Sequence, residues 1–449
     1  MDNMKKLFGT DGIRAAAGKF PLDPLTIRVL GGSLSALLRE EGLEPMIIVG
    51  RDTRESGAWM EEALVQGFKD AGGEAVSAGV IPTSAISFLT RKHAFSAGLV
   101  LSASHNPYHD NGIKIFSSDG TKIRDDWEVR LEKAILRSRT DAGPKKAVIR
   151  PEPGYLEEYA DFLKGRMPAS LVPGKFRVVL DCSNGASSVV APRVFRELGF
   201  EVIPIHDAPD GRNINRGCGS LHPAGLAKKV IAERAVLGIA YDGDADRAVW
   251  VDEKGRVLNG DHTLYIQALF MKEKRRLRSA KVVATSMSNM GLERALREEG
   301  LELVRTRVGD KYVLEEMSRL GANLGGEQSG HTIFLDDCPT GDGILTSLKM
   351  AEVLLERGKP LSELAAGCGE YPQVLVSVKV VRKADFGEFP EIARTAEDIR
   401  AALGEDGRLD LRYSGTEPLA RIMIEGREKE EIETHAGRLA DVIGKFLGK

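Results

Sequence analysis

The chain has 449 residues, more than one hydrophobic core usually organises, so three or four compact units are expected. Its 42% apolar and 29% charged residues are the balance of a globular protein, which excludes a disordered or membrane-embedded chain. With 63 basic and 66 acidic residues the net charge is −3, too small a field to draw nucleic acid or an anionic membrane, so an anionic ligand has to be captured locally.

From Met1 to Lys6 no apolar signal segment precedes Leu7-Phe8-Gly9-Thr10, and no later apolar run approaches membrane-spanning length; a cytoplasmic protein is expected. Cys182, Cys218, Cys338 and Cys368 are scattered without a C-x-x-C pair, so the reading is four reduced thiols, with neither a disulfide framework nor a zinc site.

Along the chain, three stretches share one order of elements, an internal repeat. Each has a β-branched strand, a helical segment, a second strand after a Gly-Glu or Gly-x-Glu step, then a third strand and a polar loop. The first runs from Met46–Gly50 through Gly73–Val76 to Ala97–Leu101 and ends in Ser102-Ala-Ser-His-Asn-Pro107. The second runs from Arg177–Asp181 through Gly199–Val202 to Leu237–Ala240 and ends in Asp242-Gly-Asp-Ala-Asp-Arg247. The third runs from Lys281–Ala284 through Gly300–Val304 to Ala322–Leu324 and ends in Gly326-Glu-Gln-Ser-Gly-His331. Helical segments are expected over Trp59–Ala71 and Ala191–Leu198. Such α/β units gather ligands beyond the carboxyl ends of their strands, so the three loops are expected to aim into one cleft.

The remainder differs: strands at Val374–Val381, Leu409–Leu411 and Ala420–Glu425, the turn Arg412-Tyr-Ser-Gly-Thr-Glu-Pro418, and a helix from about Glu428 to Phe446 read as a small α+β unit. Turn formers near Pro151–Gly154, Asp252–Gly255 and Gly367–Tyr371 suggest boundaries. The expected fold is therefore α/β, three repeated domains (1–152, 153–253 and 254–368) plus a smaller C-terminal α+β domain (369–449), arranged around a central cleft.

Asp242, Asp244 and Asp246 place three carboxylates at alternate positions after an apolar strand, hard oxygen ligands suited to Mg²⁺. A calcium EF-hand loop shares that spacing and finds Glu253 at its twelfth position, but its sixth is Arg247 instead of glycine and a strand leads in. A solvated acidic turn is the blander reading. Ser104, alone, reads as a turn residue; as a phosphate carrier it needs a nearby cation and donors, which the carboxylate loop and Lys114 can supply. A Ser-His-Asp hydrolase is the rival, but there is no G-x-S-x-G elbow, and His105 is only the sequence neighbour of Ser104. Arg412-Tyr-Ser-Gly-Thr416 combines a guanidinium, two hydroxyls and a glycine in a turn, the ingredients for holding a phosphate. Glu327 and Ser329 suit sugar hydroxyls or an amine, or simple turn chemistry, and His331 is either structural or catalytic.

Together these segments resemble the phosphohexomutases, and within them the phosphoglucosamine mutases. The likeness spans nearly the whole chain: Phe8-Gly-Thr-Asp-Gly-Ile-Arg14, Gly50-Arg-Asp-Thr-Arg54, Ser102 to Pro107 with Asn111-Gly-Ile-Lys114, Asn213-Ile-Asn215 with Gly217-Cys-Gly-Ser220, Asp242 to Arg247, Val308-Gly-Asp310, Gly326 to His331, and Arg412 to Pro418. Gln328, Ala245 and the Ser-Gly-Thr-Glu of the last loop are similar to the glucosamine branch. Departures are Ala15 for a usual Gly, Arg216 for Asp, Leu221 for Thr and Tyr413 for Pro.

The resemblance implies interconversion of glucosamine 6-phosphate and glucosamine 1-phosphate through a bisphosphate intermediate, with hexose or pentose phosphates as the alternative substrates. It implies that Ser104 carries the phosphoryl group and that Mg²⁺ is held by Asp242, Asp244, Asp246 and the phosphoserine oxygen. Arg14, Lys114 and Arg247 would surround the transferring group, with His331 also catalytic. Glu327 and Ser329 would hold the sugar, and Arg412, Ser414, Gly415 and Thr416 the distal phosphate, with Arg421 assisting. The expected partner is a small phosphosugar, with no nucleic acid or membrane, for a monomer or homodimer. A non-catalytic sugar-phosphate binder on the same scaffold is the reading from another class, and the intact Ser104 and aspartate triad argue against it.

Overall fold

The computed structural model describes residues 7–137, 150–152, 154–414 and 418–448, in which four sheets follow one another along the chain. In the first, Met46–Arg51 lies between the parallel strands Glu74–Val80 and Ala97–Leu101, and Asp110–Ser117 returns antiparallel beside Ala97–Leu101. Gly12–Ala16 and Phe8–Gly9 extend that edge. The second sheet repeats the arrangement: Arg177–Asp181 lies between Glu201–Ile205 and Leu237–Tyr241, and Ala248–Val251 returns antiparallel. So does the third, with Lys281–Thr285 between Glu302–Thr306 and Leu324–Gly326, and Thr332–Phe334 as the return strand.

The sequence repeat is thus a repeated topology, and in all three units the polar loop joins the third parallel strand to its antiparallel return. The third strand of the third unit begins at Leu324, two residues later than the sequence suggests. Gly321 caps the preceding helix at φ 65, and the Asn323 amide donates to the Arg276 carbonyl and to Asp336, so these residues complete a turn instead of pairing. The helices lie at Ser56–Asp70, Ala191–Glu197 and Lys429–Leu447, each within a few residues of expectation.

Strand residues such as Ile47, Ile48, Val49, Val178, Leu180, Val282 and Val283 are fully buried because helices cover both sheet faces. One continuous core runs through all three units, joining Ile48 and Val100 to Leu180 and Tyr241 and to Val282 and Leu324. Tyr159, on the helix Gly154–Lys164, pins them together: its hydroxyl lies 2.9 Å from Ser84 Oγ in the first unit and donates at 3.0 Å to Asp342 in the third. Asp342 in turn caps the helix Gly343–Arg357 by accepting from the N–H groups of Ile344 and Leu345.

The last sheet is wholly antiparallel, with Leu419–Glu425 between Gln373–Lys379 and Arg408–Tyr413, covered by the helices Pro390–Leu403 and Lys429–Leu447. It has its own core, including Ile392, Ile399, Ile422, Ile424 and Leu439. It meets the third unit through polar groups. Arg408 donates to the carbonyls of Ser286 and Ser288 at 2.7 and 3.0 Å, Ser286 donates to Asp410 at 2.9 Å, and Arg294 pairs with Asp406 at 2.7 Å. Among the described residues no helix is long and apolar enough to cross a membrane.

Candidate active site

Ser104 sits on the connection that follows Ala97–Leu101, with a left-handed φ of 51 and no exposure. Four groups force that conformation. Its N–H donates to Ser102 Oγ at 2.9 Å, and Ser102 donates to Asp52 at 2.6 Å. Arg54, itself fully buried and paired with Asp52 at 2.8 Å, donates to the carbonyls of Ser104, Asn106, Pro107 and Asp110. Asn215, from the second unit, donates to the Ser104 and Asn106 carbonyls at 2.8 and 3.0 Å. The loop is therefore held by its backbone, which leaves Ser104 Oγ free to face the second unit. There it donates to Asp242 Oδ2 at 2.5 Å.

The carboxylate loop reaches Ser104 because Gly243 lacks a side chain: a Cβ there would lie 2.5 Å from the Ser104 carbonyl oxygen. Oxygens of Asp242, Asp244 and Asp246 lie within 4.8 Å of one another and are buried. Lys114 Nζ touches Asp244 at 2.8 Å, Asp246 at 2.9 Å and Asp11 at 3.2 Å. Burial opposes the charge on Lys114, but these carboxylates outweigh it and hold its pKa well above the ordinary lysine value. Asp242 shows the opposite balance: burial, then the like charges of Asp246 and Asp244, push its carboxyl well above the usual range. Asp244 Oδ1 and Asp246 Oδ1 are buried without a hydrogen-bond partner. Three clustered carboxylates with two orphaned, buried oxygens are the donor set of a hard divalent cation, so the residues fit Mg²⁺. The EF-hand alternative fails, since Glu253 accepts from Ser362 instead of joining the three aspartates.

Arg247 donates from Nη1 to His105 Nδ1 at 2.9 Å and lies 3.7 Å from Asp246. His105 Nδ1 is also 3.3 Å from Ser104 Oγ, closer than adjacency in sequence implied. Burial, then the charges of Arg247 and Arg14, lower its pKa to about 4, so the ring is neutral and Nδ1 serves as Arg247's acceptor. His331 is buried, accepting from the Gly341 N–H at Nε2 and standing 3.8 Å from Asp246. Arg14, paired with Asp11, lines a cavity of about 430 Å³ together with Asp246, Arg247, Glu327 and His331. A larger cavity of about 1070 Å³ adjoins it, sharing Arg247 and Glu327 and adding Gln328, Ser329, Met287 and Gln373. The carboxylate and sugar loops thus share one space, and the Ser104 loop joins them through its direct contacts with Asp242 and Arg247.

The fourth unit stands apart. Arg412 and Arg421 face each other across the antiparallel pair, like charges that favour an anion between them. Among the described residues Arg412 reaches Met287 Sδ, at 3.5 Å, and Asp410, at 3.3 Å. Ser414 is buried at the strand end, and Gly415 and Thr416 lie outside the described residues.

Four family models match in chain order: phosphoglucomutase/phosphomannomutase alpha/beta/alpha domains I, II and III over residues 5–141, 155–255 and 259–371, and the C-terminal domain over 375–442. The phosphoglucosamine mutase of Koribacter versatilis is 46% identical over 454 residues, covering 99% of this chain and 98% of that one. The chain belongs to the phosphohexomutase family. Further phosphoglucosamine mutases are similar over their whole lengths, at 45% identity in Solibacter usitatus (99% and 100% covered) and 43% in Bdellovibrio bacteriovorus (100% of both). Among solved structures, a phosphoglucomutase/phosphomannomutase family protein of Burkholderia thailandensis superposes with a TM-score of 0.79 at 24% identity, covering 99% and 97%. An Aspergillus fumigatus N-acetylphosphoglucosamine mutase, solved with GlcNAc-6P and magnesium, gives 0.63 at 20%, covering 99% and 96%. These last two share the fold.

Within this phosphohexomutase several supporting residues had carried no role in the sequence. Asp11, Arg54, Asn215 and Asp310 lay inside segments that resembled the family, so the signal existed but not the function. Lys122, which joins Asp11 at 2.6 Å to Asp310 at 2.5 Å, stood in no motif. Gln328 donates to Asp261 at 3.2 Å, which aims the sugar loop. Tyr413, a departure from the glucosamine pattern, stacks on Phe386 at 4.3 Å and donates to the Ala384 carbonyl, so it is spent inside the fourth unit.

Proposed function

We propose that this chain interconverts glucosamine 6-phosphate and glucosamine 1-phosphate through phosphorylated Ser104 and a bisphosphate intermediate. As a phosphohexomutase it is an intramolecular phosphotransferase. The observation that carries the reading is Ser104 Oγ, presented 2.5 Å from Asp242 by a loop whose backbone is fastened from two units. Full-length relatives named phosphoglucosamine mutase support the amino sugar.

A loose phosphoryl-transfer transition state asks for positioning and positive charge more than covalent work. Asp242, Asp244, Asp246 and an oxygen of phosphorylated Ser104 would hold Mg²⁺, which when bound neutralises charge on the phosphate. Lys114, kept protonated by its three carboxylates, acts as a fixed cation beside the transferring group, with Arg14 and Arg247 on its other sides. A substrate hydroxyl attacks phosphorus, the P–Oγ bond breaks and the hydroxyl's proton is delivered to Ser104 Oγ, which restores the serine, with His331 holding Asp246 and Glu327 and Ser329 holding the sugar. The bisphosphate turns end for end and returns the other phosphoryl group to Ser104. Meanwhile Arg412, Ser414, Gly415, Thr416 and Arg421 grip the phosphate that is not reacting.

Domain limits at 152/153, 253/254 and 368/369, a cytoplasmic location and a monomer or homodimer complete the proposal. The test combines intact mass with a coupled assay on phosphates of glucosamine, N-acetylglucosamine, glucose, mannose and ribose. One phosphoryl group on the resting enzyme and a clear preference for glucosamine phosphates are expected. A preference for another sugar overturns the substrate, and an unphosphorylated, active S104A overturns the carrier.

A further inference from the structure

A second group of metal-ligating side chains lies one strand away from the aspartate triad and shares no residue with it. Asp181 ends the strand Arg177–Asp181, and His206 directly follows its parallel neighbour Glu201–Ile205, whose register sets Ile205 opposite Asp181. Cys218 reaches the same point from the loop before the helix Ala224–Glu233. A carboxylate oxygen, a ring nitrogen and the sulfur lie within 4.8 Å of one another. Asp181 and Cys218 are buried, while the His206 side chain is 38% exposed, so two ligands are fixed and the third opens to solvent. Asp181 is oriented by the N–H groups of Ser183 and Gly219, both at 3.0 Å, the kind of outer support that aims a ligating carboxylate. Asp181 Oδ1 and His206 Nδ1 stand 3.0 Å apart, in a hydrogen bond whose proton a cation would replace.

We propose that Asp181, His206 and Cys218 form a binding site for a borderline transition-metal cation of the Zn²⁺ class. Donor chemistry separates it from the triad. One sulfur, one imidazole and one carboxylate suit Zn²⁺ or Co²⁺, whereas Mg²⁺ selects oxygen alone. Bonds of about 2.0–2.3 Å place tetrahedral ligands about 3.3–3.8 Å apart; no pair here exceeds 4.8 Å and Asp181 and His206 already stand 3.0 Å apart, so only a small adjustment is needed, which the exposed imidazole can share. On binding, the Cys218 thiol releases its proton to solvent, the thiolate and the two other side chains ligate, and water takes the fourth position. The ion would also pin the loop that carries Asn215, whose amide holds the Ser104 and Asn106 carbonyls, so occupancy would stiffen the support of the Ser104 loop.

The full-length chain, stripped with chelator and returned to excess Mg²⁺, is titrated with Co²⁺ and followed by absorbance, then with Zn²⁺ in competition and in thermal melts. One Co²⁺ per chain with a thiolate-to-cobalt charge-transfer band is expected despite the Mg²⁺. C218S should lose the band, H206A should bind at least about tenfold more weakly, and Zn²⁺ should raise the Tm of the wild type but not of H206A. His206 is exposed, so H206A decides the matter even if C218S fails to fold. No stoichiometric uptake in Mg²⁺, a band that survives C218S, or wild-type affinity in H206A overturns the site.

Discussion

The first three units and the fourth hold their parts of the site in different ways. The first three share one core and bury the junction between their loops: Ser104, Lys114 and the three aspartates are almost inaccessible, and each is held by a partner from another unit. The fourth has a core of its own and touches its neighbour through arginines on carbonyls and carboxylates. Desolvated charges that must act in one geometry need a rigid, preorganised frame. A phosphate grip that engages and releases a substrate which turns over between two steps needs a separable unit. On the proposed function, the shared core serves the chemistry and the fourth unit's separate core serves capture.

Breaking the rigid side should cost most. Ser104→Ala should lower kcat by at least about a thousandfold with bisphosphate supplied, because the covalent route is gone; steady-state turnover and intact mass read this, and substantial residual activity would sink the carrier role. Next, Asp244→Ala or chelation should stop turnover while Mg²⁺ restores only the wild type, and full activity in excess chelator would remove the metal from the scheme.

On the separable side, Arg412→Ala removes charge-assisted hydrogen bonds worth about 1.5–3 kcal/mol each, so KM should rise about 10- to 150-fold with a smaller fall in kcat. Phosphorylation of Ser104 should persist in this variant, since Arg412 makes no contact with the Ser104 loop among the described residues. Unchanged kinetics would place the turn outside the site.

The smallest effect tests the shared core itself. Burial raises the Asp342 carboxyl from 3.8 to about 6, against the hydrogen bonds it accepts from Leu345, Tyr159, Ser84 and Ile344. Between those values the folded state binds the extra proton, so this group's contribution to stability is present at low pH and is lost as pH rises towards 6, at about 1.4 kcal/mol for each tenfold fall in proton concentration. Asp342→Asn keeps the helix cap but does not titrate. Urea midpoints from pH 4 to 7 should therefore fall less steeply with pH than in the wild type, and parallel slopes would refute the assignment.

Much of this was legible in the residues. Alternating helical and β-branched segments showed the repeat, and the spacing of Asp242, Asp244 and Asp246 suited a hard cation, with a solvated acidic turn as the alternative. His105 was not legible, because adjacency to Ser104 says nothing about where a ring points until a left-handed φ turns Nδ1 towards Oγ and Arg247 fills it. Arg54 was not legible either: a buried guanidinium on four carbonyls arises only when the loop folds back over it.

What the chain's order of residues determined by itself is the local chemistry: strand and helix periods, turn formers, and the residue types of each loop, all properties of neighbours in sequence. Tertiary structure alone decided which loops meet. Lys114 is 130 residues from Asp244, and Ser104 is 138 from Asp242. Their contact depends on three sheets sharing one core, whereas Asp181, His206 and Cys218 meet inside the second unit, where the parallel pairing of two strands and a loop brings together residues far apart in sequence. Contacts between distant segments are selected by packing, which must overcome the entropy of closing long loops and therefore acts only when the whole core forms.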